Sequence, residues 1–183
     1  TREAYQALLP NLSEYYTQLG QHVPLYQSYQ HVHDASIFDT LPPAQQSAIK
    51  LALRDFKLSG VALEGDAKKR YAEISARLSQ LSSDFSNHVL DATQVYFKPL
   101  TEEQLEGLPT SSIELLKQYG QQRDLDQAVA TLDMPSYIAI MTYAKDRAVR
   151  EALYHAYTTR ASELGRHPEF DNTPVMQEIL ALR

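Results

Sequence analysis

Apolar positions recur at alternating steps of three and four residues over most of the chain, the spacing of one face of an α-helix. Tyr5, Leu8, Leu12, Tyr15 and Leu19 make the first such stripe. Pro10 falls inside it and predicts a kink or a restart, because proline lacks the N–H and crowds the preceding turn. Gly20 marks a stop, and Pro24 suits the first turn of a short helix reaching about Val32. His33 to Leu41 reads as a loop. Pro42 and Pro43 open a helix toward Gly60, with Ile49, Leu53, Phe56 and Leu58 on its apolar side. The longest pattern runs from Asp66 to about Asp91 through Tyr71, Ile74, Leu78, Leu81, Phe85 and then His88 or Val89. Such a stripe packs against a neighbouring helix in nearly antiparallel fashion.

The period then changes. Thr93-Gln94-Val95-Tyr96-Phe97-Lys98 is rich in β-branched and aromatic residues and precedes Pro99, so a strand is expected at about 94–98. Thr101-Glu102-Glu103-Gln104 has the form of a capping box, starting a helix of one or two turns that stops at Gly107. A second short helix spans about Ser111 to Tyr119 and ends at Gly120. A second strand is expected at about 128–132, closed by Asp133-Met134-Pro135. Two such strands pair as an antiparallel ribbon, which is marginal alone and must lie on the helices. Pro135 opens a helix to Ala144. Asp146 caps a longer one to about Leu164, with Val149, Leu153, Ala156 and Tyr157 inward. After a loop from Gly165 to Asn172, Thr173 and Pro174 start a last helix carrying Val175, Ile179 and Leu180. The predicted fold class is therefore mainly α, a helical array with antiparallel helix pairs and a small two-stranded β ribbon. With no linker, repeat or low-complexity tract, residues 1–183 read as a single helical subdomain. The final helix reaches Arg183 without a stop signal, and the sequence predicts that the polypeptide continues.

Composition narrows the class. Apolar residues are 43% and charged residues 22% of the 183, values of an ordinary globular protein. The net charge is −6 and no basic run exceeds Lys68-Lys69-Arg70, so no nucleic-acid footprint is present. No apolar run approaches the ~20 residues of a membrane span. The sequence begins without a charged-then-apolar leader. Without cysteine, disulfides, thiolate ligands and thiol chemistry are excluded, and the composition is compatible with a reducing compartment. Tyrosines number 12 against no Trp, and they suit half-buried helix surfaces or the lining of a groove.

Candidate chemistry is sparse. None of His22, His31, His33, His88, His155 and His167 pairs at the four-residue spacing that puts two imidazoles on one helix face, and none precedes a Glu. His31 and His33 diverge on a helix; in an extended loop Asp34 would join them. Glu102-Glu103 suits the positive end of a helix dipole better than acid–base work. No Gly-x-Ser-x-Gly turn and no phosphate loop occur. The most suggestive polar cluster is Arg147, Arg150, Arg160, Asp171 and Asn172 with Tyr154 and Tyr157. Arg150, Tyr154 and Tyr157 share one helix face, where they would hold a peptide carboxylate or line a channel. The plainer expectation is that Arg160 bridges to Asp171 and pins the last loop.

Two stretches carry a family resemblance: Leu78-Ser79-Gln80-Leu81-Ser82-Ser83-Asp84-Phe85-Ser86-Asn87-His88-Val89-Leu90-Asp91-Ala92-Thr93 and Tyr157-Thr158-Thr159-Arg160-Ala161-Ser162. With Ala52 to Phe56, Leu132 to Tyr137 and Asp171-Asn172, they resemble the N-terminal half of the thimet oligopeptidase family of zinc metallopeptidases, in its bacterial branch. His88 departs from the Asn expected there. The resemblance implies a largely helical parent divided by a deep channel. Its zinc is held by a His-Glu-x-x-His motif and a downstream Glu, none of which is in this chain. The chain is then a non-catalytic wall of a channel admitting short unfolded peptides, inactive alone, with the missing C-terminal catalytic half as its partner and the cytoplasm as its location. No catalytic, cofactor-binding or metal-ligand residue transfers to any position here. The other reading is a stand-alone helical adaptor that binds a partner through Tyr-lined grooves.

Overall fold

A computed structural model describes every residue, Thr1–Arg183. The chain is mainly α, with eight helices and one two-stranded antiparallel sheet. It divides into two compact units, essentially residues 1–83 and 84–181, with the boundary inside the longest helix.

The first unit holds α1 (Arg2–Gly20), α2 (Val23–Asp34), α3 (Pro43–Leu58) and the N-terminal part of α4 (Gly65–Val95). Pro10 does not restart α1, which is one helix through that position. The stripe read from the sequence is not its packed side either. Tyr5, Leu8, Leu12, Tyr15 and Leu19 are exposed, whereas Leu9, Ser13 and Thr17 are half-buried. The Ser79 hydroxyl of α4 donates to Ser13 Oγ at 3.4 Å. Periodicity finds the greasy side of a helix; here hydroxyl-bearing residues one step around make the contact.

Elsewhere in this unit the pattern holds apart from Leu58. His22 caps α2 by accepting the Leu25 N–H at Nδ1, with Pro24 in the first turn. Helices α2 and α3 meet around Phe56, whose ring lies 5.9 Å from Tyr26 and 5.8 Å from Tyr29. Leu58, expected on the apolar side, is 70% exposed because α3 ends there and Gly60 takes φ +77°. The expected loop after His33 contains one 3-10 turn, Phe38–Thr40, which buries Phe38.

In the second unit a ribbon of β1 (Phe97–Leu100) and β2 (Ala128–Thr131) is flanked by α5 (Thr110–Gln121), α6 (Met134–Tyr143) and α7 (Arg147–Thr159). The register pairs Phe97 with Thr131 and Leu100 with Ala128. Every residue of β2 is buried, and Leu116, Ile140 and Leu153 close over it with no exposed surface. The first strand lies three residues later than expected. Helix α4 continues through Val95, and Thr93 bonds back to the Val89 carbonyl at 2.7 Å, satisfying its hydroxyl inside the helix. Pro99 then sits within β1, tolerated because a two-stranded ribbon leaves each strand an unpaired edge.

The capping box is present as read: the Thr101 N–H donates to Gln104 Oε1 at 3.1 Å, and the Gln104 N–H donates back to Thr101 Oγ1 at 3.4 Å. It opens a single 3-10 turn, Glu103–Leu105. Gly120, read as a stop, lies inside α5, where a Cβ would overlap the Gln127 carbonyl oxygen. Helix α7 ends at Thr159, not Leu164, because Ala161 turns left-handed at φ +52°. The final helix, α8 (Thr173–Leu182), forms as predicted, although its Leu180 is 75% exposed.

Candidate functional site

Helix α7 carries the residues with the most chemistry, and all their contacts described below lie within the second unit. Asp146 starts the helix, its carboxylate accepting the N–H groups of Ala148 at 2.8 Å and Val149 at 3.3 Å. Its inner face, Val149 and Leu153, is buried in the core, which fixes the rotation of the helix. The next face around then carries Arg150, Tyr154 and Tyr157, the trio that the spacing groups together. The structure separates their roles. Arg150 donates through Nη1 to the Ala144 and Lys145 carbonyls, closing the end of α6. Tyr154 is exposed. The Tyr157 ring stacks on Tyr137 of α6 at 4.3 Å and 28°.

Arg160 extends that stack. Its guanidinium lies 3.7 Å from the Tyr157 ring centre, and Nη1 donates to the Tyr157 carbonyl. Arg160 therefore does not bridge to Asp171, contrary to expectation; the planar cation is held on an aromatic face instead. Burial pushes the Tyr137 hydroxyl pKa up, with Tyr157 and Tyr154 adding to the rise and Arg160 opposing it. The phenol is held neutral.

The pin of the last loop is Asn172, only 1% exposed. Its Oδ1 accepts from His88 Nδ1 at 2.9 Å, its Nδ2 donates to the Phe85 carbonyl at 3.1 Å, and its backbone N–H donates to the Ala161 carbonyl at 3.1 Å. An amide oxygen only accepts, so this contact places the proton on His88 Nδ1. Asp171 caps instead, accepting the Thr173 N–H at 2.8 Å.

A cavity of about 420 Å³ opens beside this network, between α7, the end of α4 and the turn from Arg160 to His167. Sequence spacing does not reveal it, because Tyr96, Leu132, His155 and Arg166 are far apart in the chain. Tyr96 is 6% exposed, its hydroxyl has no hydrogen-bond partner, and Arg166 lies 5.6 Å from its ring centre. Burial raises the Tyr96 pKa, with Arg166 opposing. Arg160 Nε is a second buried group without a partner.

The remaining sequence candidates lie apart. His31 and His33 occupy the last turn of α2, and His33 bonds its neighbour Asp34 at 2.9 Å. Glu102 and Glu103 stand at the start of the 3-10 turn, and Lys68, Lys69 and Arg70 on the first turns of α4. His167 bonds Glu169 at 3.1 Å; a hydrogen bond from Glu169's own backbone, and then this His167 contact, keep that carboxyl below its usual pKa. No three His, Asp or Glu side chains gather closely enough to hold a metal ion. The residues present therefore do not fit a zinc site.

Residues 1–68 match the N-terminal domain of the neurolysin/thimet oligopeptidase family. Over its whole length the chain is 47% identical to oligopeptidase A of Salmonella typhimurium, covering 27% of that protein. The chain corresponds to an N-terminal part of the thimet oligopeptidase family. It is also 35% identical over 190 residues to a probable cytosolic oligopeptidase A of Arabidopsis thaliana and 33% to the organellar oligopeptidase A of that plant, covering 26% and 24% of them. It thus spans about a quarter of the length of the curated relatives it matches.

Proposed function

We propose that the chain is the non-catalytic N-terminal part of a zinc-dependent oligopeptidase that hydrolyses short, unfolded peptides, and that it forms one wall of the substrate channel. The observation that carries this is the match of the entire chain, at 47% identity, to a peptidase about four times as long, while none of its histidines has zinc-motif spacing. The zinc ligands, the general base and the transition-state donors are placed on the C-terminal part of the polypeptide. There zinc would supply Lewis acidity and an activated water. The residues described here supply shape: a buried ribbon, helices fixed on it, and tyrosine-bearing faces. The protein is placed in the cytoplasm, supported by the word cytosolic in one relative's name and by the lack of cysteine.

The test compares the 183-residue chain with a polypeptide extended to the length of its relatives, on a short internally quenched peptide. Chelator-sensitive cleavage is expected from the extended protein only. Such cleavage by the rigorously purified chain overturns the non-catalytic assignment. No cleavage by an extended, zinc-loaded protein overturns the peptidase reading.

A further inference from the structure

We draw no further inference here: the strongest candidate, the cavity between α7, the end of α4 and the turn from Arg160 to His167, carries none, because the Tyr96 hydroxyl and Arg160 Nε are buried away from its space, Arg160 and His167 are engaged by Tyr157 and Glu169, and nothing in the structure shows what covers its open side.

Discussion

Replacing Asn172 by alanine tests the reasoning most directly, because one buried side chain joins α4 to the loop before α8. The amide makes two hydrogen bonds, to His88 and to the Phe85 carbonyl, and is 1% exposed. Each neutral bond contributes about 1 kcal/mol net. The space left by the missing atoms, which the packed surroundings fill only in part, adds about 1 kcal/mol more. The expected loss is about 3 kcal/mol. For a chain of this length that lowers the melting temperature by about 6–12 °C. Urea unfolding followed by circular dichroism gives the free energy, and a thermal melt gives the shift. His88→Asn keeps an amide donor within reach and should lose under about 1 kcal/mol. Pairing Asn172→Ala with His88→Ala in a double-mutant cycle should show a coupling of about 0.5–1.5 kcal/mol. A loss below about 0.5 kcal/mol for Asn172→Ala, or strict additivity in the cycle, would refute the claim that this contact pins the loop.

The other predictions are independent of that network. Gly120→Ala places a methyl on the Gln127 carbonyl and should destabilise by about 2 kcal/mol or more by chemical denaturation, because backbone gives way less easily than a side chain. Ala161→Gly relieves a left-handed residue and should stabilise by about 0.5–1 kcal/mol; a destabilised variant would show that the turn is not strained. Tyr96 has a raised pKa in the folded chain, so the contribution of its phenol is intact below the unfolded value near 10 and lost as pH rises through the folded value. Denaturation midpoints should therefore fall above about pH 10, less steeply in Tyr96→Phe. That variant should also be no less stable than the parent at pH 7, since it deletes a hydroxyl with no partner.

Much of this protein is decided locally. Helix starts at Pro24, Pro43, Pro135 and Pro174 follow from a ring that fixes φ and an N–H that the first turn does not need. The Thr101–Gln104 box and the Asp146 cap are read directly, because a cap joins residues three apart. The long stripe of α4 and the buried run of β2 are legible for the same reason: their periods are properties of single elements. The resemblance to the oligopeptidases was legible too, carried by contiguous runs. What the sequence could not decide involves distant residues or competing neighbours. Which side of α1 packs depended on Ser79 meeting Ser13 from another helix, so the apolar stripe there misled. Helix α4 outran its β-branched end because Thr93 found a carbonyl within the helix and Tyr96 found the core. Arg160 chose an aromatic face over Asp171, leaving the pin to Asn172. The cavity gathers Tyr96, Leu132, His155 and Arg166 from four places in the chain. Local sequence fixes hydrogen bonds and periods within an element, whereas the partners of a buried polar group are set only when the elements meet.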